Sequence, residues 1–468
     1  MNIILVIFDS LRKDCLSVYG RPYWGEVKTP HFDAFAEQSL VMTRAYPEAL
    51  PTLPARRAIY TGKKVYPFHE GDFRQKGDFV GAPGWGPIPE KQATLAEILS
   101  KAGYRTALIS DVYHMFKPSK NFWRGFHQWT FLRGQETDPA RSGPRLSQKE
   151  IDYWLPKELQ NEQSIQFITQ CILNMRDRVR EEDYFAPRVL REAALWLEQN
   201  QDADSFFLTI ESFDPHEPWL VPPHYVRMYL DDLSIPEQVK SAYADQALSD
   251  QLLRRTQANY SAAVTLCDRW FGFFLEQMRV LGLLDNTLIL FTADHGHSIG
   301  DRGFCGKRGY PSMPEVFDIP LFIRFPGAEH AGTVSDMFVQ HIDITATILD
   351  MAGVEPPEPI DGVPFIEDAL AGRPGQRDHV TVAWGTYPTV ITRKWWFNCT
   401  VLGTQCRLYD LEAADPFARD IASEHPDVLE EMFAYAINDA VGGFPDWLIE
   451  MARKGTDAPG CTVLAARK

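Results

Sequence analysis

The sequence has no Cys-x-x-Cys pair. Its seven cysteines, at 15, 171, 267, 305, 399, 406 and 461, are odd in number and widely spaced. That pattern argues against a zinc knuckle and a disulfide framework, and it fits a reducing cytoplasm. No apolar run approaches the ~18 residues of a membrane span, so no membrane partner is expected. The apolar residues 3–8 have no basic leader and no cleavage site, so they read as a first strand rather than a signal peptide. Basic charge is in deficit: 47 Lys and Arg stand against 63 Asp and Glu, a net charge of −16. A broad nucleic-acid or anionic-membrane footprint is not expected at that balance, although a local cationic pocket for a small anion stays open. Internal repeats and low-complexity segments are also missing. Hydrophobic residues at 45% and charged residues at 24% exclude the disordered and collagen-like classes. A chain of 468 residues buries a sizeable core without staples. Its length allows two to four domains, or one large α/β domain with an appendage.

Strand and helix patterns alternate through the first 370 residues. Residues 3–8 form a continuous β-branched run, as expected of a parallel strand buried on both faces. Further strands are predicted at 106–110, 206–210, 287–291 and 319–325, with helices at 93–102, 189–197, 245–281 and 343–351. The alternation predicts a mostly parallel central sheet with helices on both faces. After Gly372 the pattern changes to strands at 380–384, 390–401 and 407–411 and a helix near 426–437. The chain is therefore divided into a catalytic α/β domain, 1–370, and a smaller α+β subdomain with an antiparallel sheet, 371–468. Residues 113–165 have weak periodicity and read as an insertion over the sheet edge. Its aromatic stretch 113–129 reads either as a pocket lining or as packing.

Ligands of open α/β sheets sit beyond the carboxyl ends of the strands. Asp9 follows the first strand, Asp294 and His295 follow the strand at 287–291, and Asp214 and His216 follow the strand at 206–210. Carboxylates and imidazoles converging there suit a divalent metal. Thr52 stands just before a helix with Pro54 in its first turn and Arg56 one turn on. As an ordinary residue it would be an N-cap threonine. As a functional one it would use the helix N-terminus to stabilise an alkoxide, with Arg56 binding the oxyanion. Lys307, in the glycine-rich stretch 300–307, reads as a surface lysine or as a cation for a leaving group.

These residues carry a resemblance. The order Asp9-Ser10-Leu11-Arg12, Thr52-x-Pro-x-Arg56, Gly103-Tyr104-x-Thr106, Asp214-Pro-His216-x-Pro218-Trp219, Asp294-His295-Gly296, Lys307, Asp343-Ile344-Thr345, Asp361-Gly362 and Leu408-Tyr409-Asp410 resembles the sulfatases of the alkaline phosphatase superfamily. The site pattern is nearest to phosphonate monoester hydrolases and phosphodiesterases. The resemblance implies an α/β domain with a smaller antiparallel C-terminal part. It implies a metal held by Asp9, Thr52, Asp294 and His295, with Arg56, His216 and Lys307 binding or protonating the ester and His114 contacting the anion. One divalent ion with an imidazole ligand favours Mn²⁺ or Zn²⁺, with Ca²⁺ and Mg²⁺ as alternatives. Asp214, His216 and His341 are the residues available for a second ion.

The chain departs from the family in three places. Sulfatases carry Cys or Ser at the position of Thr52 and oxidise it to formylglycine; threonine is not a substrate for that maturation. Ser10 stands where many sulfatases have a second Asp, and Asp111 stands where many have an anion-binding lysine. Threonine nucleophiles occur in the superfamily among enzymes that cleave phosphoryl esters. The expected function is thus a metal-dependent hydrolase of a phosphodiester or phosphonate monoester, a small anionic ester, with Thr52 as nucleophile. The alternatives are a sulfuric ester hydrolase working without formylglycine and a degenerate homologue that binds an anion without turnover. Oligomeric state stays open, a homo-oligomer included.

Overall fold

The computed structural model describes residues 1–69, 80–117, 119–235, 237–245 and 248–455. Its main sheet has eight strands in the order Val334–Gln340, Leu40–Tyr46, Leu321–Arg324, Thr287–Ala293, Asn2–Phe8, Phe206–Ser212, Arg105–Ser110 and Gln128–Phe131. All neighbours run parallel except Leu321–Arg324, which is antiparallel to both of its partners. Helices flank this sheet, and every residue of the central strand Asn2–Phe8 is buried. An unbroken apolar run is what a strand covered on both faces requires. Around its end Phe8, Phe32, Phe271 and Phe291 pack with ring centroids 5.0–6.3 Å apart, in the edge-on and tilted arrangements that aromatic quadrupoles favour.

A second sheet has the order Arg407–Asp410, Trp395–Asn398, Tyr387–Thr392, His379–Trp384 and Ala49–Leu50. Four of its strands follow residue 370, and the fifth comes from just before the Thr52 helix. A three-stranded ribbon joins Ala244–Asp245, Phe304–Gly306 and Ser298–Asp301.

Three local expectations are corrected. The strand predicted over 390–401 is a hairpin, because Thr392 Oγ1 accepts from Trp395 N at 2.8 Å and turns the chain. The long helix begins at Asp250, not 245: Ser249 caps it, and Ala244–Asp245 pairs as a strand. The insertion does more than cover the edge. Gln128–Phe131 is the edge strand itself, in parallel register with Arg105–Ser110. Its aromatic stretch packs, with Phe116 stacked on Phe131 at 4.5 Å and on Trp129 at 5.5 Å.

Candidate active site

Strand register builds the centre. Phe8 pairs with Ala293 on one side and with Ser212 on the other. The next residues, Asp9 and Asp294, therefore leave adjacent strands at the same level, and strands lie about 4.8 Å apart. Asp9, Asp294 and His295 bring one ligand atom each within 4.8 Å of one another, and all three are buried. His295 Nδ1 faces the Gly296 carbonyl at 2.9 Å, so it carries the proton and Nε2 carries the lone pair. Nε2 has no hydrogen-bond partner, and Asp9 Oδ2 makes an ion pair with Arg56 NH1 at 3.0 Å but no hydrogen bond. Buried polar atoms are rarely left unpaired. Two carboxylates and an unpaired imidazole lone pair fit a divalent cation. Burial and the neighbouring Asp294 push Asp9 well above the usual carboxylate range. Asp294 is held below that range despite burial, chiefly by His295 and Arg56. Burial lowers His295 to about 3, so its imidazole is a neutral ligand at pH 7.

Ser10 is a positioning residue where a second Asp was the alternative. Its Oγ donates to Asp9 Oδ1 at 2.9 Å and its N–H to Asp294 Oδ1 at 3.0 Å. It does so at φ 62°, a conformation that costs a non-glycine residue of order 1 kcal/mol or more.

Thr52 is the first residue of the helix Thr52–Thr61, and Pro51 occupies the cap position. The ordinary reading of Thr52 as an N-cap is thereby corrected: no side chain caps this helix. Arg56 lies one turn on, the spacing that puts two side chains on one helix face. Its NH1 donates to the Thr52 carbonyl at 3.3 Å and to Asp294, and sits 3.0 Å from Asp9 Oδ2. Its Nε donates to Glu211 Oε2 at 2.8 Å. Tyr60, again one turn on, donates to Glu211 Oε1 at 3.0 Å. Glu211 was not singled out in the sequence, although a carboxylate inside the apolar strand Phe206–Ser212 is a readable signal.

A second cluster faces this centre. Lys307 Nζ lies 2.6 Å from His216 Nε2, and His216 Nδ1 lies 2.6 Å from the Glu217 carbonyl. His216 thus donates through Nδ1 and accepts from Lys307 through Nε2. Burial lowers it to about 4, so His216 is neutral at pH 7. His114 joins the cluster: its Nε2 is 3.7 Å from Glu136 Oε2, whose other oxygen is 3.6 Å from His216 Nδ1. Glu136 comes from the insertion, at φ 43°, and Tyr113 OH donates to it at 2.7 Å. Glu217 Oε2 is 3.5 Å from His216 Nδ1 and 3.6 Å from His297 Nδ1. Tyr243 OH donates to Glu217 Oε1 at 2.5 Å. Glu136, Glu217 and His297 were missed in the sequence. Glu136, His216 and Glu217 also bring donor atoms within 4.8 Å. In this structure the lone pair of His216 is directed at Lys307.

The remaining sequence candidates lie elsewhere. Asp214, His216 and His341 do not assemble into a second metal set. Asp214 Oδ2 accepts from Ala186 N at 3.0 Å, and His341 Nε2 donates to the Ala293 carbonyl at 3.0 Å. Asp111 and Asp214 share the Gln135 amide, at 2.8 and 3.0 Å, and Asp111 also accepts from Phe213 N. Asp111 is thus a buried carboxylate paired through Gln135 with the half-buried Asp214. Burial and Asp214 raise Asp111 to about 7. A raised carboxylate favours folding below the unfolded value of 3.8, and that stability is lost as pH rises through about 7. Asp111→Asn removes the titration. Relative to wild type, its melting temperature is expected to rise from pH 5 to pH 8.5, by the equivalent of about 1–3 kcal/mol. Equal shifts at both pH values would contradict the buried pair.

The chain matches the Sulfatase family profile over residues 1–354 and belongs to that family, within the alkaline phosphatase superfamily. It is an ester hydrolase. Among curated relatives it is 25% identical over 429 residues to the multifunctional alkaline phosphatase superfamily protein PehA of Trinickia caryophylli, covering 80% of this chain and 78% of that one. It is 26% identical over 390 residues to an arylsulfatase of Clostridium perfringens, covering 77% of each. The fold is that of the phosphonate monoester hydrolase of Agrobacterium radiobacter, with a TM-score of 0.70, 20% identity and coverage of 94% of this chain and 95% of the other. Among the described residues, no helix is long and apolar enough to cross a membrane.

Proposed function

We propose that this sulfatase-family hydrolase cleaves phosphoryl esters, phosphodiesters or phosphonate monoesters, with Thr52 as its nucleophile and one divalent ion as cofactor. The observation that carries the reading is the placement of Thr52: buried, first in its helix, without a capping role, and one turn from the guanidinium that binds Asp9 and Asp294. A threonine offers an attacking hydroxyl but cannot become the aldehyde hydrate that expels sulfate. The relatives include both an arylsulfatase and a multifunctional alkaline phosphatase superfamily protein, so family membership leaves the choice to this residue.

Asp9, Asp294, His295 and the Thr52 hydroxyl would hold a divalent ion, Mn²⁺ or Zn²⁺ before Ca²⁺ or Mg²⁺, which would supply Lewis-acid polarisation and a lower hydroxyl pKa. Thr52 Oγ1 attacks phosphorus in line, forming a threonine ester as the bond to the leaving oxygen breaks. Arg56 stabilises the equatorial oxygens. Lys307 supports the leaving oxygen as proton donor, because His216 is neutral and serves to aim the ammonium group. His114 lines the anion side of the cluster. Water then cleaves the threonine ester and restores the hydroxyl.

The test compares an aryl phosphodiester, an aryl phosphonate monoester and an aryl sulfate with the same leaving group, on metal-loaded protein. The expected kcat/KM is at least about 10²-fold higher for a phosphoryl substrate, a gap of about 2.7 kcal/mol. Sulfate as the best substrate would support the sulfatase reading. No turnover of any of the three, with stoichiometric metal bound, would support the binding-only reading.

A further inference from the structure

We propose that the cleft between the ribbon strand Phe304–Gly306 and the strand Arg407–Asp410 binds an anionic group carried on the leaving portion of the substrate, a carboxylate or a second phosphate on a ring. This inference rests on the hydrolase reading above for its place in turnover, but not for the binding itself. The cleft has a volume of about 550 Å³, within the range of small-molecule sites.

Its chemistry differs from that of the chain as a whole. The protein carries a net charge of −16, yet Arg302, Arg308 and Arg407 line this cleft with two carboxylates, Asp245 and Asp420; the buried Glu315 holds Arg302, which leaves Arg308 and Arg407 as the anion contacts. Those carboxylates are weak competitors. Arg308 NH1 meets Asp245 at 3.0 Å, but Asp245 is 69% exposed. Arg407 lies 3.8 Å from Asp420, with side chains 42% and 33% exposed. Exposed pairs contribute little and exchange readily for a better-placed anion. Each guanidinium is also braced against a ring. Arg302 lies over Phe417 at 5.4 Å, Arg407 over Tyr310 at 5.8 Å and Arg308 over Phe304 at 4.2 Å. Tyr310 in turn stacks on Tyr387 at 5.0 Å. Braced guanidinium forks beside aromatic faces recognise a planar anion on a ring.

The cleft adjoins the reactive cluster along two chain segments. Lys307 meets His216, and the next residue, Arg308, lines the cleft. Tyr243 donates to Glu217, and Asp245 two residues on pairs with Arg308. Gly306 lets the segments touch: a Cβ there would lie 2.8 Å from the Tyr243 ring. In this proposal the substituent of the leaving oxygen beside Lys307 extends along these segments to Arg308 and Arg407.

Two phosphonate monoesters of closely similar size separate the charge from the shape: 4-carboxyphenyl and 4-carbamoylphenyl phenylphosphonate. Wild type is expected to have a KM about 10-fold lower for the carboxylate. Arg407→Ala and Arg308→Ala should each erase that preference and leave the carbamoyl ester within about 2-fold. Binding of the products, 4-hydroxybenzoate against 4-hydroxybenzamide, is titrated in parallel by calorimetry and needs no turnover. Preferential, salt-sensitive binding of the benzoate that is lost in Arg407→Ala supports the site even if neither ester reacts, in which case only the hydrolase reading fails. Equal binding of the two phenols, or equal effects of the variants on both esters, overturns the proposal.

Discussion

Thr52→Ala in metal-loaded protein is expected to lower kcat on an aryl phosphodiester by about 10⁴-fold or more, roughly 5.4 kcal/mol of transition-state stabilisation. The loss should fall on kcat rather than KM, because the hydroxyl forms its bond to phosphorus only as the reaction proceeds. Thr52→Ser keeps the hydroxyl and should retain activity within about 10²-fold of wild type. Folding is not at issue: Thr52 caps nothing and is followed by a wholly buried helix face. The Thr52→Ala melting temperature should accordingly stay within a few degrees, the equivalent of about 1 kcal/mol. An alanine variant at full rate would mean that another oxygen attacks.

Arg56→Met is expected to destabilise the fold as well as abolish turnover. Arg56 is fully buried, and its guanidinium faces three fully buried carboxylates, Asp9, Glu211 and Asp294. Removing one side of a buried ionic network leaves uncompensated charge, at about 3–5 kcal/mol. The urea midpoint of the metal-free variant should fall accordingly. Addition of Mn²⁺ should recover part of the loss, since a cation between Asp9 and Asp294 replaces the missing charge. A variant that unfolds like wild type, or that Mn²⁺ leaves unmoved, would contradict this picture of the carboxylates.

Much of the centre was legible because buried parallel strands leave plain sequence traces. The apolar runs ending before Asp9 and Asp294 located both carboxylates at strand ends, and the register of Phe8 with Ala293 brings them together. Thr52 and Arg56 were legible through helical spacing. Glu136 and Glu217 were not, because carboxylates in loops look solvated until the fold buries them. Glu136 reaches His216 only after 80 residues of chain return to the sheet. Asp111 was legible only as a departure from the family pattern, because the Gln135 amide that ties it to Asp214 comes from a distant part of the chain. Edge strand Gln128–Phe131 was hidden because two of its four residues are exposed and two half-buried, which erases the apolar run that marks a central strand.

The proposed reaction turns on a covalent threonine ester. Stereochemistry at phosphorus tests it directly, using a phosphodiester or phosphonate ester made chiral with isotopic or sulfur-substituted oxygens and hydrolysed in labelled water. Attack by Thr52 followed by attack of water gives two inversions and therefore net retention. Net inversion would show a single displacement by water, and would contradict Thr52 as the nucleophile.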